Sequence, residues 1–219
     1  MRPLLLVTGT GTEIGKTFVA TALVRAWSSG GKRIAGVKPV ESGVVGEPAD
    51  VAALAKASTF DLPSPPPYLF AAPVSPHLAA RAEGRRISLD VIIPWVEAIR
   101  AAADGTVLEL PGGLFSPLTD RDTNADLAAR LKPTFSVLVT CDRLGVLHDV
   151  LAATRAAAPL GLRFDAIVLS APATPDASTG TNAAELRRIL TPGTNVHALP
   201  RTDAEDAAAR LKPLLSGLP

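Results

Sequence analysis

Short apolar runs recur along the chain, each ending in small or polar residues. They span 3–9 ("PLLLVTG"), 33–40, 106–113, 135–142, 164–171 and 195–201. Their apolar residues are continuous rather than alternating, which is typical of strands buried on both faces of a parallel sheet. Segments rich in Ala and Leu at helical spacing lie between them, at 16–29, 50–57, 88–103, 123–131, 146–158, 179–190 and 203–215. This alternation predicts an α/β fold, with a mostly parallel sheet flanked by helices on both faces.

The stretch 58–87 departs from this pattern because it contains "LPSPPPYLFAAPVSP". Its proline density excludes a regular helix there and disfavours a central strand. We expect an excursion over the sheet edge, with a short helix near 77–83. The sequence contains no internal repeat and no linker that would divide it, so residues 1–219 are predicted to form a single domain.

Composition narrows the class of protein. Among 219 residues, 47% are hydrophobic but only 4% are aromatic, so the core must consist mainly of Ala, Leu and Val. The net charge of +1 gives no electrostatic reason to expect a nucleic acid or an anionic membrane as partner. Cys141 is the single cysteine, which excludes an intrachain disulfide. No apolar run approaches the roughly 20 residues that cross a bilayer, and we expect a soluble cytoplasmic protein.

The segment Gly9–Thr17, "GTGTEIGKT", follows an apolar strand and precedes a helix. Glycine-rich turns at this position bind phosphate through backbone N–H groups and the helix dipole. Lys16 would reach the β- and γ-phosphates, and the Thr17 hydroxyl suits Mg²⁺. The usual G-x-x-x-x-G-K-[ST] pattern requires a glycine at position 10, which is Thr10 here. An ordinary turn with an exposed lysine is the alternative, but the Gly-Lys-Thr triplet favours a lengthened phosphate-binding loop.

Other strand ends add charged residues. Lys38 follows a buried strand, which is unusual unless its ammonium meets an anion, and Glu109 lies inside the apolar run "TVLELPGG". A buried carboxylate needs a compensating partner, which a metal ion can supply. Asp50 opens the helix after Ser42, where a second metal ligand and an N-cap are equally good interpretations. Since ligands bind beyond the carboxyl ends of parallel strands, these residues are predicted to converge on one crevice.

The ordered set of segments resembles the dethiobiotin synthetase family over nearly the whole chain. "VTGTGTEIGKT" resembles that family's variant loop, G-T-x-T-x-x-G-K-T, which has the same displaced glycine. "KPVESG", "SPHLAARAEG", "LELPGG" and "DRLGVLHD" resemble its K-P-V-x-[ST]-G, SPH…EG, V-E-G-A-G-G and L-G-x-x-x-H segments. The combination is much more specific than any one segment.

The resemblance implies a P-loop NTPase-like ligase that forms C–N bonds in biotin biosynthesis. One amine of 7,8-diaminopelargonate takes up CO₂ as a carbamate, and a carbamate oxygen attacks the γ-phosphate of ATP. The second amine closes the ring on the mixed anhydride and releases phosphate and dethiobiotin. The protein supplies positioning and charge neutralisation. The family is a homodimer with its active site near the subunit interface.

The family's site residues map onto this sequence as follows. The catalytic set is Lys16, Lys38 and Thr12. Substrate contacts fall on Thr12, Lys38, Ser42, Leu144 and Gly145, the last two for the neighbouring subunit's substrate. Nucleotide contacts fall on Glu13, Ile14, Gly15, Lys16, Thr17, Phe18, Asp50, Glu109, Gly112, Ser170, Pro200 and Arg201. Thr17, Asp50 and Glu109 would hold Mg²⁺.

The chain departs from the family pattern at two places. Leu110–Pro111 replaces the Gly-Ala that usually follows the metal-binding glutamate, and Pro111 removes an N–H donor. Ser170–Ala171–Pro172 replaces an Asn-Asp whose asparagine contacts adenine. The first departure leaves the local backbone path open, and the second leaves the preferred base open.

Two other classes of protein share parts of the loop. Cobyrinic acid amidases also activate carboxylates with ATP, but they carry a glutamine-hydrolysing domain for which 219 residues leave no room. Partitioning-type ATPase switches have an additional early lysine, "KGGxGKT", where this chain has Thr8–Thr10. The synthetase interpretation therefore accounts for more of the motifs than either alternative.

Overall fold

A computed structural model describes residues 1–218 and contains eight strands and eight α-helices in that range. The strands are β1 (Leu4–Gly9), β2 (Ile34–Val37), β3 (Val40–Ser42), β4 (Tyr68–Phe70), β5 (Gly105–Glu109), β6 (Phe135–Cys141), β7 (Ala166–Ser170) and β8 (Asn195–Leu199). The helices are α1 (Lys16–Ser28), α2 (Ala49–Ala57), α3 (Pro76–Ala82), α4 (Leu89–Ala102), α5 (Asn124–Leu131), α6 (Val146–Ala157), α7 (Asn182–Ile189) and α8 (Ala204–Leu211).

Six strands form one parallel sheet in the order β2-β5-β1-β6-β7-β8. Alternate residues of a strand point to opposite faces. Accordingly, Leu4 and Leu6 of β1 pack with α3 to α7, whereas Leu5 and Val7 pack with α1, α2 and α8. The predicted parallel sheet with helices on both faces is confirmed.

The excursion 58–87 contains more order than predicted. The short helix expected near 77–83 is confirmed as α3. The stretch also forms β4, which pairs in parallel with β3 in a separate two-stranded sheet, in the register Val40↔Tyr68 to Ser42↔Phe70. The run predicted as one strand over 33–40 is therefore divided: β2 ends at Val37, and β3 begins at Val40.

Two predicted helices are shorter than expected. Over 179–190, residues 178–181 form turns, and α7 begins only at Asn182. Over 203–215, α8 ends at Leu211 and a 3₁₀ turn follows at Lys212–Leu215, where Pro213 has no N–H to continue the helix. None of the helices within residues 1–218 is long and apolar enough to span a membrane.

Candidate active site

The phosphate-binding loop begins where β1 ends and leads into α1. Gly15 precedes the helix with a φ of 88°, and a Cβ there would lie 3.0 Å from Ser170 Oγ. Glu13 also adopts positive φ, at 56°. Such left-handed residues turn successive N–H groups to one side, which makes an anion-binding concavity. Lys16 Nζ donates to Gly11 O at 2.6 Å, so the lysine folds over the loop.

A main cavity of about 670 Å³ lies beside this loop. It brings together eleven of the predicted site residues: Thr12, Glu13, Gly15, Lys16, Thr17, Phe18, Lys38, Ser42, Asp50, Glu109 and Gly112. Its other lining residues were not among the predicted site residues: Glu41, Pro73, Val74, Ser75, Pro76, Pro111 and Ser116. The segment Pro73–Pro76 belongs to the excursion, which therefore forms one wall of the cavity.

A side cavity of about 390 Å³ adjoins it and shares Glu13, Gly15 and Phe18. Its lining includes the predicted residues Ile14, Ser170, Pro200 and Arg201, together with Cys141, Ala171, Pro172, Ala173, Leu199 and Thr202. The predicted convergence of strand ends is thus present as two adjoining cavities. Leu144 and Gly145 line neither of them, and Leu144 is 76% exposed.

Lys38 occupies the centre of the charge network. Its ammonium forms ion pairs with Asp50 and with Glu109, the latter at 2.8 Å. Thr17 Oγ1 donates to the same Glu109 oxygen at 3.0 Å. The expectation that the strand-end lysine meets an anion is confirmed, since both of its partners are carboxylates of this chain.

The two carboxylates respond differently to Lys38 because their burial differs. Glu109 is fully buried, and this burial raises its pKa despite the attraction of Lys38. Asp50 keeps 39% of its side chain exposed; burial would raise its pKa, but the attraction and hydrogen bond of Lys38, together with Thr17 and Lys16, lower it. Burial alone would lower the pKa of Lys38, but the attraction of Glu109 and Asp50 reverses this and raises it.

Lys16 lies at the edge of the same network, and its pKa shifts in the opposite direction to that of Lys38. Burial is the dominant influence and lowers its pKa, although Glu109 attracts its charge. The proximity of Lys38 lowers it further. An anion placed between the two ammonium groups would offset both the burial of Lys16 and its repulsion by Lys38. A site of this kind suits a phosphate or a carbamate.

The N-cap interpretation of Asp50 is wrong. Pro48 immediately precedes α2, and Asp50 lies inside its first turn. The carboxylate of Glu41 caps the helix instead, accepting from Asp50 N at 3.1 Å and from Val51 N at 2.9 Å. Glu41 therefore leaves the Asp50 carboxylate free to face Lys38. "KPVESG" contains this residue, but its capping role depends on a contact that the motif does not reveal.

Oxygen ligands suitable for a divalent cation meet at Thr17, Asp50 and Glu109. Glu109 Oε2 is buried and has no hydrogen-bond partner among the described residues. A hydroxyl and two carboxylates are the hard ligands that Mg²⁺ prefers. No group of three or more His, Cys, Asp or Glu in residues 1–218 is arranged to hold a metal. The set fits Mg²⁺ only with ligands from water or nucleotide, as is usual for that ion.

Ser42 and Ser170 carry hydroxyls that can contact a ligand. Both Oγ atoms are buried and unpaired within the described part of the chain. Ser42 ends β3 at the main cavity, and Ser170 ends β7 at the side cavity. Burial raises the pKa of the Cys141 thiol, which disfavours the thiolate form that would act as a nucleophile.

The predicted substrate contact at Leu144 and Gly145 has one feature that the sequence did not indicate. Leu144 N donates to Asp176 Oδ2 at 2.8 Å, so a carboxylate of this chain already uses that N–H. Asp176 also accepts from Ser178 and Thr179, and these bonds lower its pKa to about 2. Gly145, with a φ of 92°, immediately precedes α6.

Comparisons with known proteins identify the family of this chain. A family model described as an AAA domain matches residues 4–207. The ATP-dependent dethiobiotin synthetase BioD of Anaeromyxobacter dehalogenans is 43% identical over 189 residues, which cover 84% of each chain. That of Ralstonia nicotianae is 40% identical over 222 residues, 96% of each chain. A solved nucleotide-binding protein in complex with ADP from Archaeoglobus fulgidus aligns with 99% of this chain and 88% of its own, at 16% identity and a TM-score of 0.49. This chain belongs to the dethiobiotin synthetase family.

Proposed function

We propose that this protein is an ATP-dependent ligase that forms dethiobiotin from 7,8-diaminopelargonate and CO₂, the penultimate step of biotin biosynthesis. The observation that carries the proposal is the meeting of Lys16, Lys38 and the phosphate loop at one cavity, in a chain 40–43% identical to named synthetases over most of its length. The chemistry needs two anions held side by side, the carbamate and the γ-phosphoryl group. Two buried ammonium groups are suited to that task.

The residues take their roles from position. Lys16 would hold the β- and γ-phosphates, and Lys38 would neutralise the carbamate as its oxygen attacks the γ-phosphorus and ADP leaves. Thr12 and Ser42 would orient the diamine from opposite sides of the cavity. The second amine then attacks the carbamate carbon, phosphate leaves, and the ring closes. Burial lowers the pKa of Lys16, and the bound anions would favour its charged form.

Mg²⁺ would be held by Thr17, Asp50 and Glu109. It would supply positive charge to the phosphate oxygens during transfer. The buried, unpaired Oε2 of Glu109 supports this assignment.

ATP would extend from the main cavity into the side cavity. The phosphates would lie on Glu13–Phe18, with Gly112 near the γ-phosphate, and the base between Ser170, Pro200 and Arg201. The shared lining of the two cavities by Glu13, Gly15 and Phe18 supports one continuous nucleotide.

The oligomeric state, the extent of the domain, the location and the partners of the protein remain predictions. We infer a homodimer in which Leu144 and Gly145 contact the neighbouring subunit's diamine, because exposed apolar side chains such as Val74 and Leu144 support an interface near the site. A single catalytic domain over 1–219, a cytoplasmic location and the absence of a nucleic acid partner rest on the sequence alone.

The test is phosphate release by purified protein with MgATP, with the diamine and bicarbonate omitted in turn. We expect release to require both, together with incorporation of labelled bicarbonate into an acid-stable product. Phosphate release at the same rate without the diamine would indicate a switch ATPase and contradict the synthetase function. Lys16→Ala should lower turnover by at least about a hundredfold, the scale of losing one positioned charge.

A further inference from the structure

Asn124 is a buried polar residue to which no role has been given above. It is the first residue of α5 and only 1% exposed. The preceding Thr123 fixes the start of the helix, because its N–H and hydroxyl both donate to Asp126 Oδ2 at 2.7 Å. Asn124 N itself donates to Ser116 O at 3.2 Å. The backbone of Asn124 is therefore fixed at the start of α5.

The amide of Asn124 binds two carbonyls of the segment that follows Glu109. Nδ2 donates to Pro111 O at 2.5 Å and to Gly113 O at 2.9 Å. Since both neighbours are acceptors, the orientation of the amide is determined, with the nitrogen toward the loop. Both N–H groups are thus committed to one three-residue turn. Oδ1 has no partner within residues 1–218.

These bonds determine which way the Pro111–Gly112 peptide faces. The peptide is trans, so its C=O and N–H point in opposite directions. With Pro111 O turned to Asn124, the Gly112 N–H is turned away from it. Pro111 and Gly112 both line the main cavity, and Gly112 N donates to no atom of the described chain. Gly112 has a φ of 65°, which glycine adopts without strain.

The position of Gly112 indicates the atom that this N–H would meet. It lies three residues after Glu109, and a Cβ on it would be 4.0 Å from Thr12 Cγ2. Thr12, Lys16 and Lys38 line the same cavity, whereas Gly112 is absent from the lining of the side cavity. The donor is therefore at the end of the nucleotide site away from the base, where the γ-phosphoryl group would lie.

We propose that Asn124 is a positioning residue that aims the Gly112 N–H at an oxygen of the transferring phosphoryl group. It acts through the turn and touches no reactant. The inference rests on the proposed function for the identity of that group, but the N–H would meet the γ-phosphate of any bound nucleoside triphosphate. The two hydrogen bonds from Asn124, here called the clamp, are needed because Pro111 has no N–H and the turn can form one fewer backbone hydrogen bond.

Asn124→Leu tests the proposal, since it keeps the branched shape of the side chain, at a larger volume, and removes both donors. Expected are a loss of turnover of at least about tenfold, a part of what losing one positioned donor costs, and a KM for the diamine within about twofold. The affinity for a non-hydrolysable ATP analogue should fall at least about threefold while that for ADP stays constant. Asn124→Ser, which is smaller and favoured at helix starts, replaces it if the leucine variant does not fold.

Arg100→Met is the matched control. Arg100 is 4% exposed and also clamps two carbonyls, Arg2 O at 2.6 Å and Leu131 O at 3.2 Å, at the other edge of the sheet. It should lower the melting temperature but leave turnover of the folded enzyme unchanged. A purely structural Asn124 would behave in the same way, and that result would overturn the proposal. If wild-type protein showed no diamine-dependent turnover, the comparison of analogue and ADP affinities would still decide for or against the clamp.

Discussion

Lys38→Met separates the contribution of the central lysine to stability from its contribution to turnover. The substitution keeps an unbranched side chain, one atom shorter, and removes its charge, leaving Glu109 buried without its nearest ion-pair partner. Removing one member of a buried pair costs about 3–5 kcal/mol. The lower end applies because the pKa of Glu109 is already raised, so the carboxyl can take up a proton. Asp50 is partly exposed and adds little.

For a chain of this size, a loss of about 3 kcal/mol lowers the melting temperature by roughly 6–12 °C. The loss should shrink as pH is lowered, because burial raises the pKa of Glu109 and protonation removes its uncompensated charge. The sign follows from the raised pKa: a carboxyl of that kind is most stable in the fold when protonated. Turnover should fall at least about a hundredfold at every pH, since the positioned charge is absent from the reaction.

Thermal unfolding monitored by fluorescence and steady-state phosphate release measure the two effects separately. Lys56→Met is the control, because Lys56 is exposed in the last turn of α2, and its melting temperature should stay within about 2 °C. Near-normal turnover of Lys38→Met would remove Lys38 from the chemistry. An unchanged melting temperature would refute the argument that Glu109 depends on it.

Three further predictions follow from the cavities and loops. The side cavity has only the Ser170 hydroxyl as a buried polar side chain without a partner, and Pro172 and Pro200 lack N–H donors. We therefore expect kcat/KM to differ by less than about tenfold among ATP, GTP, CTP and UTP. A preference above about a hundredfold would contradict this. Hydrogen bonds in the fold lower the pKa of Asp176 to about 2, so its stabilising contribution is present above its unfolded pKa and is lost as pH falls toward 2. Asp176→Asn should therefore weaken the dependence of the unfolding free energy on pH in the acid range. An unchanged dependence would exclude this role. Leu144→Glu should convert the inferred dimer to monomer in sedimentation analysis, and an unchanged sedimentation coefficient would place the interface elsewhere.

Local patterns were sufficient to predict the central sheet. Each buried strand is a short, continuous apolar run, and the Gly15-Lys16-Thr17 triplet marks the helix that follows β1. Lys38 and Glu109 were also found, because a charge at the end of or within an apolar strand requires a partner. Asp50 was found because it opens the helix after Ser42. Their mutual pairing could be inferred only from the rule that parallel strands end at one edge.

The missed features all depend on contacts between distant segments. Glu41 caps a helix nine residues away, and Asn124 reaches carbonyls eleven and thirteen residues before it. Neither side chain differs from an ordinary surface residue in its sequence context. The strand β4 was missed because prolines on both sides hide a three-residue run whose only partner is β3.

The two-stranded sheet of β3 and β4 gives one wall of the main cavity a mechanical independence. Within residues 1–218 it shares no ladder hydrogen bonds with the six-stranded sheet, and side chains such as Val40 and Phe70 hold it to the core by apolar packing. Packing of this kind is non-directional, so a displacement of the wall would break no ladder hydrogen bond of the six-stranded sheet. Because β3 carries both Ser42 and the helix-capping Glu41, such a displacement would move the Ser42 hydroxyl together with the cap of the first turn of α2, which contains Asp50. A ligand that shifted this wall would therefore also shift the carboxylate that pairs with Lys38.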